Sequence, residues 1–260
     1  MTDNAFISGR PSFKLAGETR ADLEQALTGM VVNLPLHGCA HAELQLTNWG
    51  VPEGGQNPDF IFDEIALGTE LEIEMGPDSI RLFKGEVTGI EERYGEGAPN
   101  LILLLQDKLH RLARTRHSRC FEDQSPDELV QAIAAEAGLQ SDVNLSRLTA
   151  DWHQLNESDL AFLLRLTARF DIALRLQNDA TLRVKAEESD PSPVALDAQD
   201  SALQVRLIAD LNHQSNQSGV NGYNLATDNS VDHSAESMIP APGGTSATET
   251  LEQLSWGGEE

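Results

Sequence analysis

Leu67-Gly-Thr-Glu-Leu-Glu-Ile-Glu-Met-Gly76, followed by Leu82-Phe-Lys-Gly-Glu-Val-Thr-Gly-Ile90, decides the fold class. Leu71 and Ile73 alternate with Glu70, Glu72 and Glu74, the period of two that marks a strand with one buried face. Gly76-Pro77-Asp78 is a turn, and Ile80 to Ile90 returns as the second arm of a hairpin. Glu70, Glu72 and Glu74 are expected to form a solvated face of the first arm.

The same pattern extends in both directions. Ser12 to Leu15 starts an extended segment, Leu27 to Leu36 is rich in apolar residues, and Ala42 to Thr47 alternates cleanly. Gly50 to Pro58 is a loop of Gly, Pro and Asn, and Asn100 to Gln106 closes the series after a loop at Tyr94 to Pro99. Strands at this spacing without an intervening helical pattern predict an antiparallel barrel or sandwich.

The period changes after Phe121. Ser125-Pro126-Asp127-Glu128 is a helix start with a serine cap, proline in the first turn and glutamate placed for a capping box. Leu129, Val130, Ile133 and Ala137 follow at helical spacing until Gly138. Asn156-Glu157-Ser158-Asp159 opens a second helix, with Leu160, Leu163, Leu164 and Thr167 on one stripe and Phe162, Leu166 and Phe170 widening it. Ile172, Leu174 and Leu176, a turn at Asn178-Asp179, then Leu182 and Val184 read as a hairpin. After Glu187 the chain turns to Asp, Ser and Pro, with short strand candidates at Leu203 to Ile208 and Val220 to Tyr223. From Thr227 onward it offers little to bury and is expected to be an acidic, unstructured tail.

Charge narrows the partners. The 260 residues carry 42 acidic and 18 basic side chains, net −24, which repels nucleic acid and anionic membranes at long range. Thirteen acids and one base, Arg206, lie between Ala186 and Glu260. The opposite bias is confined to one stretch, where Lys108, Arg111, Arg114, Arg116 and Arg119 occur with no acid between them. They form either a solvated or internally paired face or a docking strip for an acidic neighbour. Cys39 and Cys120 form no CxxC pair, and reduced thiols fit better than a bridge. The opening MTDNAFISGRPSF has no secretory pattern, and the longest aliphatic run, Leu101 to Leu105, is far too short to span a membrane.

Several groups of residues resemble chemical sites. His37, Cys39 and His41 would share one face of a strand, but at a spacing too wide for one ion and without a fourth ligand. Asp228-Asn-Ser-Val-Asp232 imitates a calcium loop, yet His233 and Ile239 stand where glycine and glutamate are required. Glu128, Glu136, Glu157 and Asp159 read as helix caps or solvent-facing groups rather than an acid/base pair. Trp49, Trp152 and Trp256 are scattered in sequence, with no stacking platform expected. No catalytic, cofactor or metal residue is assigned.

Four segments in order carry a resemblance. They are the Leu67–Ile90 hairpin, the run from Gln106 through Arg116 to Phe121-Glu-Asp-Gln-Ser125, Gln154-Leu-Asn-Glu-Ser-Asp-Leu-Ala-Phe-Leu163, and Val220-Asn-Gly-Tyr-Asn224. In this order they resemble the phage late control protein D family, which includes the hub-forming part of VgrG spike proteins of contractile injection systems. Tyr223 and Asn224 replace a Trp and an Asp of the family pattern.

The resemblance implies a mainly β fold with an α/β insertion: tail-tube-like β-barrel domains joined by two amphipathic helices and a hairpin. Residues 1–112 would be the first barrel, 113–186 the insertion, and 187–260 the start of a second barrel plus the acidic tail. It implies a non-enzymatic hub that assembles in the cytoplasm, enters the baseplate, and adapts a hexameric inner tube to a trimeric spike. The implied partners are two further copies, the tube protein, and a spike protein or C-terminal spike domain that this sequence does not show. Neither nucleic acid nor a membrane is implied as a partner. A tail-associated cell-wall hydrolase is the alternative.

Overall fold

The computed structural model describes residues 10–52, 54–76, 79–177, 179–185, 206, 218–225 and 227–235. The chain divides into two compact units, Met1–Pro193 and Val194–Glu260.

The first unit begins with a seven-stranded sheet. Its strands are β1 (Ser12–Leu15), β2 (Glu18–Thr19), β3 (Leu27–Asn33), β4 (His41–Thr47), β5 (Glu70–Met75), β6 (Ile80–Arg93) and β7 (Asn100–Gln106), with a short helix α1 (Ala21–Ala26) before β3. They run in the order β2-β1-β5-β6-β7-β4-β3, and every neighbouring pair is antiparallel. The alternation read from sequence becomes one core: Phe13, Leu44, Leu46, Leu71, Ile73, Phe83, Leu101, Leu103 and Leu105 are buried together with Leu23 and Phe62.

The outward side of β5 is not a solvated face. Glu74 pairs with Lys14 at 2.5 Å, while Lys84 bridges Glu70 at 2.8 Å and Glu72 at 2.7 Å. These cross-strand pairs hold the Glu72 and Glu74 side chains at 15% and 14% exposure. A charge ladder of this kind adds register specificity as well as a few tenths of a kcal/mol per pair. The Lys84 hydrogen bond holds the Glu72 carboxyl below the usual range.

Glycine is required at one point of the hairpin. A Cβ on Gly85 would lie 2.4 Å from the Gln106 carbonyl oxygen and 2.6 Å from the Phe83 ring. The Phe-Lys-Gly sequence is therefore a packing device: Phe83 folds over the space that Gly85 leaves.

The second core of this unit is α/β. Its elements are β8 (Arg116–Gln124), α2 (Pro126–Glu136), β9 (Gln140–Asn144), β10 (Ala150–Ser158), α3 (Asp159–Ala168), β11 (Leu174–Gln177) and β12 (Thr181–Lys185). The α2 capping box forms as read: Ser125 Oγ accepts from Glu128 N at 3.3 Å and Ser125 N donates to Glu128 Oε2 at 2.8 Å. Gly138 leaves the helix at φ +71°. β8 and β10 form an antiparallel ribbon. β11 and β12 are antiparallel and β9 adds to β12 in parallel. Leu129, Val130, Ile133, Leu160, Phe162, Leu163 and Leu166 of the two helices pack with Phe121, Leu174, Leu182 and Val184.

In the second unit, β13 (Ser218–Asn224) pairs antiparallel with β14 (Asn229–Ala235). This corrects the expectation of an unstructured chain from Thr227 onward. A backbone ladder holds the hairpin even though residues 219–225 and 227–234 are exposed, so apolar content gave no signal. The strand candidate at Leu203 to Ile208 lies outside the described residues except for Arg206.

Candidate assembly interface

The basic stretch spans the junction between the two cores of the first unit. A 3-10 turn at Lys108–Ala113 follows β7, capped by Asp107. Asp107 accepts from Leu109 N at 2.9 Å, from Ala40 N at 2.9 Å and from the Cys39 thiol at 3.0 Å. One buried carboxylate thus fixes both the turn and the start of β4.

The five cations do not share one role. Arg111 makes a two-pronged ion pair with Glu86, one contact being Nε to Oε2 at 3.2 Å, and His110 Nε2 lies 2.9 Å from Glu86 Oε2. Arg119 sends Nε to Gln154 at 2.8 Å, one terminal nitrogen to Glu136 at 2.8 Å and the other to Asp159 at 2.9 Å. Its guanidinium also lies 4.9 Å from the centroid of the Phe121 ring. Arg116 reaches only a backbone oxygen, that of Asn156, at 3.1 Å. Among the described residues no hydrogen bond or ion pair holds the side chain of Lys108 or Arg114, and Arg114 is exposed. The sequence reading of a single strip therefore splits. Arg111 and Arg119 are internal ties, whereas Arg114 and Arg116 are exposed and Lys108 is half-buried without an ion-pair partner among the described residues.

Glu86 shows how tightly such a tie is set. Burial pushes its carboxyl up, but the Arg111 and His110 contacts outweigh burial and hold it below the usual range. A carboxylate held low contributes stability at neutral pH, and that contribution is lost as pH falls through the lowered folded value. Glu86→Gln should therefore melt well below the unmodified protein at about pH 7, with the gap narrowing at a strongly acidic pH, below the ordinary glutamate value of about 4.3. Thermal melts at both pH values measure this; an equal gap at each would refute it.

The Gln154–Leu163 run is also structural. Gln154 is fully buried, accepts from Arg119, and donates to Glu157 O at 3.0 Å and Asp159 Oδ1 at 2.8 Å. Asn156 sits at φ +49°, and Ser158 caps α3 by accepting from Ala161 N at 3.2 Å. Glu157 pairs with Arg165 at 2.5 Å, which holds its carboxyl low. The motif is a corner that joins β10, β8 and α3.

His37, Cys39 and His41 point to separate partners. His37 Nδ1 accepts from Leu174 N at 2.9 Å, Cys39 donates to Asp107, and His41 lies 3.5 Å from Asn33 Nδ2. Burial, then Asp107, pushes the Cys39 thiol far up, which makes it a poor nucleophile or ligand. Cys39 and Cys120 are both free. Among the described residues no group of three or more His, Cys, Asp or Glu side chains is placed to hold a metal ion.

Sequence reasoning missed one cluster. Trp49 and Phe60 meet edge to face with centroids 5.5 Å apart, and Phe60 meets Tyr94 likewise at 6.0 Å. The contact of Trp49 with Phe60 further along the same loop, and of Phe60 with Tyr94 after β6, has no signature in local spacing.

Comparison with known proteins agrees with the fold. Among curated protein sequences none matches the chain. The 43 kDa tail protein of prophage MuSo2 from Shewanella oneidensis is similar in structure, with a TM-score of 0.67 at 14% identity over 95% of this chain and 77% of that one. A tail protein from Neisseria meningitidis MC58 gives 0.62 at 12% identity over 95% and 76%. At these identities the likeness shows the fold alone. The model of the phage tail baseplate hub (GPD) family matches residues 36–223, from the apolar end of the β3–β4 loop through both cores to β13. That span takes in three of the four motifs whole and all but the last residue of the fourth, and the chain belongs to the phage tail baseplate hub family.

Proposed function

We propose that the chain is a structural hub subunit that assembles as a homotrimer between a hexameric inner tube and a spike. In this reading residues 1–112 are the first tube-like barrel, 113–186 the insertion, and 187–260 the beginning of a second barrel. Two such barrels in each of three copies would present a sixfold ring to the tube. Lys108, Arg114 and Arg116 are the side chains assigned to docking an acidic neighbour, since complementary charge sets register and encounter rate. The subunit would be built into the particle at its baseplate.

The observation that carries this reading is the family match over residues 36–223, together with how the matched motifs are used inside the fold. Gly85 and Phe83 pack a hairpin, and Gln154 and Asp159 build a corner. The carboxylates that a hydrolase would need are spent in the same way. Glu128 closes a capping box, Glu136 and Asp159 hold Arg119, and Glu157 holds Arg165. These contacts favour a scaffold over a cell-wall hydrolase.

Cells that produce the particle but lack this chain test the proposal. Tube and sheath should fail to assemble on a baseplate, and electron micrographs should show none of the finished particles. Normal particles in normal number would sink it.

A further inference from the structure

We infer that the groove beside Trp49 is a binding site for a neutral oligosaccharide. The groove encloses about 900 Å³ and is lined by Thr19, Arg20, Asp22, Gln25, Thr47 and Trp49, with Val51, Pro52 and Ile61 completing its apolar side. Its size falls in the range of small-ligand sites, which combine apolar walls with a few fixed polar groups.

Each part is held in place. Asn48 is buried, and its side-chain oxygen accepts from Ile61 N and Phe62 N at 3.0 Å each. A bridge between Gly50 and Asp59 ties the base of the intervening loop. These contacts set Phe60 against Trp49 at an interplanar angle of 81°, and Phe60 does not itself line the groove. Trp49 remains 44% exposed and belongs to neither hydrophobic core. An indole braced in this way and left facing solvent is an amphipathic platform, suited to a ligand with one apolar and one polar face.

The polar side is equally fixed. Arg20 binds Asp22 through Nε at 2.9 Å and through a terminal nitrogen at 2.6 Å, and the same nitrogen reaches Glu64 at 2.6 Å. The Arg20 and Asp22 hydrogen bonds place planar donors and acceptors on one wall. The amide of Gln25 and the hydroxyls of Thr19 and Thr47 add unfixed ones. Vicinal hydroxyls of a pyranose match such planar groups, while the C–H face of the ring stacks on indole.

Two considerations weigh against other polymers. The chain's net charge of −24 disfavours anionic polymers. A peptide added as a strand would need a free edge as template, and the strand beside the groove, β2, is two residues long, which leaves a proline-rich segment as the peptide that the third arm of the test addresses.

Calorimetric titration of the full chain with tetra-N-acetylchitotetraose and with maltotetraose tests the inference, with a proline-rich decapeptide as the third arm. At least one sugar should bind with Kd of about 0.1–1 mM, Trp49→Ala should weaken it about tenfold or more, and Trp49→Phe should retain most of it. Gln25→Ala should weaken it by a smaller factor. Because Trp49 lies outside both cores, the variants should keep the melting temperature, which is measured alongside. No heat with either sugar, equal binding by Trp49→Ala, or preference for the decapeptide would each overturn the assignment.

Discussion

Gly85→Ala is expected to lower stability by about 3 kcal/mol, among the largest losses from adding a single methyl group to this chain. The new carbon would fall 2.4 Å from the Gln106 carbonyl oxygen, an atom of the β7 backbone that cannot rotate away. Phe83 could move, but only by leaving the core in which it is 4% exposed. Relief therefore requires β6 and β7 to part where Glu86 pairs with Gln106 in register. Glu86 would then be displaced from Arg111, so the damage should spread from the sheet into the 3-10 turn. Melting should drop by about 6–12 °C for a domain of this size. Gly95→Ala is the control, because a Cβ there meets nothing within 4 Å. Equal melting of the two variants would show that the close approach at Gly85 carries no cost.

Reversing Lys108, Arg114 and Arg116 together to glutamate should abolish incorporation into particles while leaving the melting temperature almost unchanged. None of the three side chains closes an internal ion pair among the described residues, and surface changes of this kind usually cost within about 0.5 kcal/mol each. Arg111→Glu and Arg119→Glu should behave in the opposite way. Each would leave a carboxylate, Glu86 or Asp159, without its cation in a site where the residue is 7% or 9% exposed. Breaking a buried pair from one side costs about 3–5 kcal/mol, and less for Arg111, whose side chain is 55% exposed, so both variants should lower the melting temperature before docking is tested. If the triple variant enters particles at the normal level, the outward cations are not a docking surface.

The parts of the fold legible in the sequence are those where burial follows a period. Leu71 and Ile73, Leu44 and Leu46, and the apolar stripes of α2 and α3 all face cores as their spacing requires. The parts that escaped are strands whose inward positions are polar. β8 and β10 turn Arg119 and Gln154 inward, where the two hydrogen-bond each other and Asp159 instead of filling an apolar core. Hydrophobic alternation cannot find such a ribbon, so Arg119 read only as one of five cations that could be internally paired or docking. The same blindness hid β14, where a ladder forms without burial. The charge ladder on β5 was visible as alternation, but the partners at Lys14 and Lys84 depend on strand order, which no local pattern encodes. The aromatic groove depends on Asn48 anchoring a distant part of its own loop, a contact that spacing alone does not reveal.

We propose above all that this fold exists to be built into a baseplate ring. A density map of the purified particle, solved without imposed symmetry, tests it directly. Three copies are expected about the particle axis, between the last tube ring and the spike, with Arg114 of each copy facing an acidic surface of a neighbour. A map that fills that position with another protein, and holds no copy of this chain, would contradict it.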